Sequence, residues 1–308
     1  MKAVVFGGAG FVGSHVADAL SDQGIEVIVY DKKESKYLRD DQTMIVGDIL
    51  DSEKIKSAVQ GCDYVYHYAG IAAIEEAAQN PLKTIETNVL GTTYVLEACR
   101  LARVKRIVFA SSVYVYSDLA PFYRSSKQSC ELIIEDYQKM YGIDYTILRY
   151  GSLYGRRADD NNFINKIIKQ ALEEKRITRY GDGEEIRDYI HVCDAAKCSV
   201  DILMDEFKNQ HVILTGTQST KVKDLLVMIA EIMQNKVKIE YKKGGNGGHY
   251  EITPYSFRPR VAKKYVSNSY HDLGQGILDV IYDVYEKCDI DERDTNHIKK
   301  LIETGSNK

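Results

Sequence analysis

The sequence of 308 residues lacks the patterns that mark secreted proteins and metalloproteins. It starts with MKAVVFGGAGFVG, a strand-like segment, and shows no charged leader, long apolar run or cleavage site of a secretion signal. No CxxC pair or disulfide-like spacing occurs among the six cysteines, which are Cys62, Cys99, Cys130, Cys193, Cys198 and Cys288. The seven histidines form no HExxH or comparable ligand spacing. We therefore expect a cytoplasmic protein with reduced cysteines and no metal.

An excess of charge of one sign is also missing. The 41 Lys and Arg residues nearly balance the 45 Asp and Glu residues, so the net charge is −4, and both signs are interspersed. Such a surface has no field that would hold a nucleic-acid backbone or an anionic membrane. There is no low-complexity segment either, which is typical of a globular protein. We expect a small-molecule partner, and neither nucleic acid nor a membrane.

What the sequence does contain is a regular alternation of apolar, strand-like runs and helical patterns. The runs are KAVVF, EVIVY, TMIV, YVYHYA, RIVFAS and YTILRY. Their nearly continuous hydrophobicity indicates burial on both faces, as in a parallel sheet between layers of helices. Amphipathic stretches at residues 81–101 and 123–141 are predicted to cover one face. The pattern predicts an α/β fold with a doubly wound parallel sheet of the Rossmann type.

This rhythm loosens after Gly151, where shorter elements follow. They include VILTG, a helix near residues 221–233, VKIEY and a glycine-rich turn at residues 244–248. We expect an NAD-binding Rossmann domain over residues 1–150 and a smaller substrate-binding lobe over residues 151–308, and the chain can return from the lobe to the sheet.

A glycine-rich segment follows the first strand and opens the first helix. Glycines at positions 7, 10 and 13 of GGAGFVG let the backbone turn tightly, approach a pyrophosphate and pack helix against strand. The helix N-terminus then faces the phosphates. A glycine triplet alone also fits a tight structural turn, but strand, loop and helix occur here in the order that a dinucleotide site requires.

Two aspartates after the next strands are candidates for contacts with the adenosine half of a dinucleotide. Asp31 ends the second strand about 20 residues after the glycine loop, where a carboxylate accepts the ribose hydroxyls, and it favours NAD over NADP. Lys32 and Lys33 follow, and they weaken that preference unless they are simply solvated. Asp48, in GDILD, either contacts the adenine amino group or caps its own loop.

The candidate catalytic pair is a tyrosine and a lysine at helical spacing. Tyr123 and Lys127 form the only YxxxK match among 23 tyrosines, and both side chains share one helix face. A free phenol has a pKa of about 10, so a base that works near pH 7 needs a pKa lower by about 3, or roughly 4 kcal/mol. The ammonium of Lys127 and a positive nicotinamide ring would supply much of this stabilisation. The alternative interpretation is an ordinary exposed Tyr/Lys pair.

A serine pair ends the fifth strand, and Ser112 lies eleven residues before Tyr123. Open α/β sheets bind their ligands at this carboxyl edge. A serine hydroxyl there can hold the substrate oxygen while Tyr123 moves its proton. Serine is also a common turn former, so the assignment of Ser112 depends on the combination with Tyr123 and Lys127.

These motifs occur together in the order found in the extended short-chain dehydrogenases/reductases. The ordered set is GGAGFVG, Asp31, Asp48, TNVLGT at residues 87–92, the serine pair, YxxxK, and RDYIHV at residues 187–192. It resembles the NAD-dependent nucleotide-sugar epimerases and dehydratases over nearly the whole chain. The resemblance implies that Ser112 is the catalytic serine, Tyr123 the base and Lys127 the anchor of the nicotinamide ribose.

The same resemblance implies a set of binding residues. The cofactor-binding residues are Gly7, Gly10, Phe11, Val12, Gly13, Asp31, Lys32, Asp48, Ile49, Tyr68, Ala69, Gly70, Asn88, Ser111, Tyr123 and Lys127. Arg187 matches the arginine that grips the substrate diphosphate, and Arg258 or Arg260, in SFRPR, resembles the second. The alternative for the C-terminal arginines is a surface salt bridge. Ser112, Tyr123 and Ser152 complete the implied substrate contacts.

Three departures from the family pattern limit the substrate assignment. Only ten residues separate Ser112 from Tyr123, where the family usually has a longer substrate-contacting loop. Ser152 stands where the family usually carries asparagine. After Ser112 the chain reads Val113-Tyr114, without the acidic pair of the 4,6-dehydratases or the glutamate of the decarboxylases.

Oxidation and reduction at one carbon, most simply C4, remain after these exclusions. We expect a nucleotide-sugar 4-epimerase, with a 4-dehydrogenase or 4-ketoreductase as the alternative. A non-catalytic NAD sensor would not need Ser112, Tyr123 and Lys127, and an NADP-linked reductase of small carbonyl compounds would have little use for Arg187. The resemblance and the two long helices also suggest a homodimer with a four-helix interface.

Overall fold

A computed structural model of the chain describes residues 1–244, 262–267 and 269–287. The six predicted strands all form, and in this part of the chain they belong to one parallel sheet of eight strands. Side by side, the strands are β13 (Lys263–Lys264), β10 (Gln210–Leu214), β6 (Asp144–Tyr150), β5 (Arg106–Ser112), β4 (Tyr64–His67), β1 (Lys2–Phe6), β2 (Glu26–Asp31) and β3 (Gln42–Val46). The predicted doubly wound fold is confirmed.

The strand order reverses at β1, which pairs with β2 on one side and with β4 on the other. Phe6 has Tyr30 and His67 as its Cα partners on the two sides. The loops that leave β1 and β4 run to opposite faces of the sheet, so a crevice opens between them at the carboxyl edge. Doubly wound sheets bind their ligands in this crevice.

Helices cover both faces of the sheet, which explains why its strands are apolar throughout. One face carries α1 (Phe11–Asp22) and α8 (Val192–Asp201) over a core that includes Val5 and Val27. The other face carries α2 (Ser52–Val59), α5 (Gly91–Ala102) and α6 (Tyr123–Tyr141). The short helices α3 (Ile74–Gln79) and α4 (Pro81–Thr84) precede α5, and Ile85–Leu90 forms a π-helix that joins α4 to α5. The helix predicted at residues 81–101 is therefore continuous, with a wider turn in its middle.

A smaller lobe begins where β6 ends. Its elements are β7 (Ser152–Tyr154), α7 (Phe163–Glu174), β8 (Arg176–Tyr180), β9 (Ile186–His191), β11 (Ser219–Lys221), α9 (Val222–Ile232), β12 (Lys238–Lys242) and α10 (Leu273–Lys287). The strands β11, β9 and β7 form one small sheet, and β12 pairs with β8. The helices α7, α9 and α10 enclose a separate core that includes Ile168, Leu225 and Ile277. The predicted helix near residues 221–233 and the strand VKIEY are α9 and β12.

The chain crosses between the two lobes more than once. β10, which contains the first three residues of the predicted VILTG run, returns to the main sheet and pairs with β6, and β13 pairs with β10. Of the predicted glycine-rich turn at residues 244–248, only Gly244 lies within the described residues. None of the helices in the described ranges is long and apolar enough to cross a membrane.

Candidate active site

The glycine loop after β1 is shaped by contacts that leave no room for a side chain. A Cβ on Gly7 would lie 2.5 Å from the Ala69 nitrogen, and the φ angle of Gly7 is +76°. A Cβ on Gly13 would lie 2.2 Å from the carbonyl oxygen of Gly7. Gly10, the N-cap of α1, is less confined, because its Cβ would be 3.2 Å from the same oxygen. The start of α1, with Phe11 and Val12, is thereby held against the strand, and its N-terminus faces the crevice.

Asp31 ends β2 beside this loop. Its Oδ2 accepts a hydrogen bond from the Ala9 amide (3.1 Å), and its Oδ1 accepts one from the Lys33 amide (3.3 Å). The carboxylate is therefore fixed at the edge of the crevice where an adenosine ribose would lie. The Lys32 side chain is exposed.

Asp48 and Ile49 form the wall after β3. The Asp48 Oδ1 accepts a hydrogen bond from the Leu50 amide (2.9 Å), and its carbonyl accepts one from the Tyr30 hydroxyl (2.8 Å). Burial raises the pKa of Tyr30 to about 12, so this phenol stays a donor. Ile49 packs on Gly91 of α5, where a Cβ would lie 3.1 Å from the Ile49 Cγ2. Asp48 thus caps its own turn.

Asn88 lies in the π-helix and joins the loop after β4 to α6. Its Oδ1 accepts a hydrogen bond from the Ile71 amide (2.7 Å), and its Nδ2 donates to the Ile71 carbonyl (3.0 Å) and to the Ser126 hydroxyl (3.0 Å). A Cβ on Gly70 would lie 2.8 Å from the Asn88 Oδ1. The Asn88 side-chain amide is buried and forms these hydrogen bonds to other parts of the protein. Its role is therefore to position Gly70 and α6.

The tyrosine of the YxxxK motif is the first residue of α6. Its amide donates to the carbonyl of Pro121 (2.8 Å), and Phe122 between them has a φ angle of +61°. This is a strained γ-turn, which the ten-residue connection from β5 uses to reach α6. Tyr123 is largely buried and packs against Ile71 and Ala120.

Lys127 lies one helical turn further and is tied to β5. Its Nζ donates to the carbonyl of Ala110 (2.8 Å) and lies 4.8 Å from the centre of the Phe109 ring. Burial lowers the pKa of Lys127 from its ordinary value. The tyrosine, the lysine and the end of β5 are therefore brought together at the carboxyl edge of the sheet.

The two serines at the end of β5 point to opposite sides, as alternation along a strand requires. The Ser111 hydroxyl donates to the Glu131 carboxylate (2.6 Å), which also forms a buried ion pair with Arg149 (2.6 Å). The Ser112 Oγ accepts a hydrogen bond from the Tyr114 amide (3.3 Å). Ser112 therefore faces the site, whereas the Ser111 side chain supports α6 from behind.

Two tyrosines at this edge were missed by reasoning from the sequence. Tyr150 is the Cα partner of Ser112, and its hydroxyl shares a hydrogen bond with the Tyr68 hydroxyl (2.8 Å). The ring of Tyr114 meets that of Tyr123 edge-on, with centroids 6.2 Å apart. If the pairing register of β5 and β6 had been assigned from the sequence, it would have placed Tyr150 beside Ser112.

The substrate side of the site is formed by the smaller lobe. Arg187 lies on β9 and is 8% exposed, and Tyr189, two residues further, is the Cα partner of Ser152 on β7. Arg258 and Arg260 lie outside the described residues. Of the predicted substrate contacts in the lobe, the structure therefore places Arg187 and Ser152 near one another.

Comparison with known proteins identifies the family. The model described as "NAD dependent epimerase/dehydratase family" matches residues 3–215, which is more than half of the chain. The chain belongs to this family. It is an NAD-dependent enzyme, and the glycine loop, Asp31 and the YxxxK helix provide the cradle and the polar groups that fit this cofactor.

Relatives of known name support nucleotide-sugar chemistry. A protein of Methanocaldococcus jannaschii with the provisional name UDP-glucose 4-epimerase is 31% identical over 272 residues, or 81% of this chain and 88% of that one. The UDP-N-acetyl-alpha-D-glucosaminuronate decarboxylase of Bacillus cytotoxicus is 31% identical over 265 residues, or 77% and 82% of the two chains. Both relatives are named for reactions on UDP-sugars, which supports epimerase/dehydratase-type activity on a nucleotide sugar.

Solved structures show the same fold. The UDP-glucose 4-epimerase of Thermus thermophilus, a complex with NAD, has a TM-score of 0.80 and is 25% identical. The match covers 94% of this chain and 100% of that chain. The fold of the smaller lobe is therefore shared as well as that of the main sheet.

Proposed function

We propose that the protein is a 4-epimerase of a UDP-sugar. The observation that carries this proposal is the joint placement of Ser112, Tyr123 and Lys127 at the carboxyl edge, next to a chain segment that continues as Val113-Tyr114. A 4,6-dehydratase needs acidic groups directly after the serine to eliminate water, and this chain has none there. The names of its relatives favour uridine as the base.

The geometry supports a proton transfer at the C4 hydroxyl. When bound, NAD supplies the acceptor and later the donor of the C4 hydride. The Ser112 Oγ accepts from the Tyr114 amide, so its own proton can be donated to O4 of the sugar. Tyr123 takes the O4 proton and returns it after the keto sugar has turned over.

Lys127 promotes the ionisation of Tyr123. Its ammonium is held to β5 through the Ala110 carbonyl and is shielded from water. A charge in such surroundings acts more strongly on its neighbours than one in solvent, so it stabilises the phenolate of Tyr123. Arg187 would hold the diphosphate while the sugar rotates, which an epimerase requires and a one-way dehydrogenase does not.

The test is incubation of UDP-glucose, UDP-galactose and their N-acetylated forms with the purified enzyme. NADH is followed by its absorbance and the C4 proton by NMR. Interconversion of C4 epimers without accumulating NADH supports the proposal. Stoichiometric NADH with a 4-keto product, and no epimer from any active substrate, would leave the 4-dehydrogenase alternative.

We further propose a homodimer that works in the cytoplasm. Large apolar side chains of α4, α5 and α6 are exposed in the single chain, namely Leu82, Leu101, Leu132, Met140 and Tyr141. A second copy that packed on these helices would bury these side chains. The five described cysteines are free, as expected in a reducing compartment.

Light scattering tests the dimer. Leu132→Glu on α6 should give a monomer at micromolar concentration, because a charge would be buried in the interface. Val227→Glu, at a similarly exposed apolar position on α9, is the matched control and should leave the mass unchanged. A wild-type monomer would contradict the proposal.

A further inference from the structure

A buried network of polar side chains joins β5, α6, β6 and β10 behind the candidate active site. Its central pair is Glu131 of α6 and Arg149 of β6, whose side chains are 7% and 6% exposed and lie 2.6 Å apart. The Oε1 atom of Glu131 accepts hydrogen bonds from the Ser111 hydroxyl (2.6 Å) and from the Arg149 Nε atom (3.0 Å). The end of β5, whose last residue is Ser112, is thus tied to α6 through one carboxylate.

His211 of β10 completes the network on the side away from β5. The Arg149 Nη2 atom donates to the Oε2 atom of Glu131 (2.6 Å) and to the Nδ1 atom of His211 (2.7 Å). Because arginine can only donate, Nδ1 is the acceptor and Nε2 carries the ring proton. This proton is donated to the Oε1 atom of Glu135 (3.0 Å). The histidine therefore holds the guanidinium from one side and α6 from the other.

The His211 ring is neutral, as its role as an acceptor requires. Burial lowers its pKa to about 4 against the opposing effect of the Glu131 carboxylate, and the charge of Arg149 lowers it further. In the described part of the chain the ring is faced by Glu131 and Glu135 of α6 and by Arg149 and Tyr145 of β6. A protonated ring would turn a second donor toward Arg149, so only the neutral form fits this arrangement.

The Arg149 guanidinium has little freedom to replace the histidine. Its Nη1 atom donates to the Tyr116 hydroxyl (2.5 Å), and the guanidinium lies 4.8 Å from the centre of the Tyr116 ring. Both protons of Nη2 are used, one by Glu131 and one by His211. Loss of the His211 acceptor would leave a donor of a buried cation without a partner, and rotation to find another acceptor would weaken the bonds to Glu131.

The network bears on the catalytic candidates because α6 and β5 also carry them. Glu131 lies four residues after Lys127, so both side chains leave α6 on the same face. The Lys127 Nζ atom donates to the carbonyl of Ala110 (2.8 Å), the residue before Ser111 on β5. Lys127 and Glu131 are thus adjacent ties between α6 and the end of β5. If the Glu131 tie loosens, the Lys127 ammonium changes its distance to Tyr123, and its effect on the phenolate weakens with distance.

We propose that His211 is a positioning residue for catalysis: by accepting a hydrogen bond from Arg149 it fixes Glu131, and Glu131 keeps α6 and β5 in the register that places Lys127 relative to Tyr123. This inference rests on the proposed function, because proton transfer by Tyr123 is the central step of that function. It gives β10, which returns to the sheet from the smaller lobe, a part in catalysis without contact with the substrate.

The first experiment measures kcat and KM for the nucleotide sugar against pH. His211→Leu should move the acidic limb of the kcat profile to higher pH by about 0.5 to 1 pH unit, because Lys127 stabilises the phenolate less. Turnover on that limb then falls about 3- to 10-fold, since one pH unit corresponds to a tenfold change in the ionised fraction. At high pH, where Tyr123 is ionised in both enzymes, the rates should converge. KM should stay unchanged, because His211 does not touch the substrate.

Two further variants test the path itself. His211→Asn keeps a side-chain oxygen near the position of Nδ1 and should restore the wild-type profile. Ser111→Ala breaks the same path where it reaches β5. This smaller change should fold where His211→Leu does not, and it should move the acidic limb in the same direction.

His271→Leu is the matched control for a general loss of stability. His271 donates to the Asp194 carboxylate (2.7 Å) of α8, on the opposite face of the main sheet from α6. The substitution removes a hydrogen bond of similar length outside the network. It should lower the free energy of unfolding and leave the position of the acidic limb unchanged.

The ionisation of Tyr123 provides a readout without turnover. The phenolate absorbance that Tyr123→Phe removes is followed against pH in the NAD-bound protein, with and without His211→Leu. It should appear at higher pH when His211 is replaced. Equal midpoints, or a kcat lowered by the same factor at every pH, would overturn the inference and leave the proposed function intact. If the wild type epimerises no nucleotide sugar, the proposed function is wrong, and this titration still decides whether His211 acts on Tyr123.

Discussion

The cofactor crevice and the substrate side of the site differ in what holds them in shape. In the crevice, backbone approaches backbone: a Cβ on Gly7 or Gly13 would collide with main-chain atoms of the neighbouring turn. On the proposed substrate side, the candidate residues Arg187 and Ser152 lie on two short strands of the smaller lobe, β9 and β7. The first arrangement leaves no room for an added side chain, whereas the second depends on side chains that a few substitutions can change. Substrate choice is therefore expected to reside in the smaller lobe.

The largest effect should come from Tyr123, the candidate acid/base, which acts between the cofactor crevice and the substrate side. Tyr123→Phe should lower turnover by about 2 to 4 orders of magnitude, because the acid/base group is lost, while NAD stays bound. Turnover and the NAD released on denaturation are measured together. Tyr137→Phe, on the same helix but with its hydroxyl on Glu97 (2.6 Å), is the control and should retain activity. Undiminished turnover in Tyr123→Phe would remove this residue from the mechanism.

Gly13→Ala tests whether close contacts between backbone atoms hold the crevice in shape. The new Cβ would overlap the Gly7 carbonyl, so we expect a loss of about 3 kcal/mol in unfolding free energy and loss of bound NAD. Gly24→Ala is the control, since its Cβ would meet nothing within 4 Å. Its φ angle of +70° should cost only ~1 kcal/mol, with NAD retained. Equal stability of the two variants in denaturant titrations would show that the crevice is not held by close packing.

Loss of the Asp31 carboxylate should weaken NAD binding less than Gly13→Ala, which disturbs the backbone of the crevice. Asp31→Asn should weaken NAD about tenfold and reduce discrimination against NADP, because a charged acceptor for the ribose hydroxyls is lost. Asp22→Asn removes an exposed carboxylate of α1 that pairs with Arg39 (2.5 Å) and should change neither affinity. Unchanged binding of both cofactors by Asp31→Asn would place the adenosine ribose elsewhere.

The last effect concerns the stability of the fold beneath the crevice rather than binding or turnover. His67, at the end of β4, shares a hydrogen bond with the Thr92 hydroxyl (2.9 Å), and burial lowers its pKa to about 3. Below pH 6.5 the unfolded chain binds a proton that folded His67 does not, so stability falls as the pH decreases toward 3. The contribution is at most about 1.4 kcal/mol per pH unit.

The pH dependence of unfolding in urea measures this contribution. His67→Gln should reduce the loss of stability between pH 6.5 and 5, because glutamine takes up no proton. His191 and His211, whose pKa values burial lowers to about 3 and about 4, keep a residual slope in the variant. An identical slope in wild type and His67→Gln would contradict the assignment.

Reasoning from the sequence succeeded where the signal is local. The six apolar runs predicted strands β1 to β6, since burial on both faces requires apolar residues at consecutive positions. The glycine loop, Asp31 and the YxxxK helix could be located for the same reason, because strand end, loop and helix start follow one another in the chain. The roles of these site residues stay predictions.

Contacts that depend on packing between distant segments could not be predicted. Tyr150 lies beside Ser112 only because β5 and β6 pair in a particular register. The hydroxyl of Ser111 turns away to Glu131, which the sequence FASS does not indicate. The ion pair between Arg179 and Glu185 likewise depends on the turn between β8 and β9, whose path no sequence pattern specifies.

The return of β10 to the main sheet has a consequence for synthesis on the ribosome. β6 leaves the exit tunnel before β10, its neighbour in the sheet. The edge of β6 that pairs with β10 therefore stays unpaired while the strands of the smaller lobe are synthesised. The buried guanidinium of Arg106, at the start of β5, meets its acceptors only when the carbonyls of Ile202 and Met204 arrive. The first 150 residues therefore carry an exposed strand edge, and Arg106 lacks these two acceptors, until the chain as far as β10 has been made. We expect nascent chains truncated before β10 to be held by chaperones, and the two lobes to unfold as one cooperative unit.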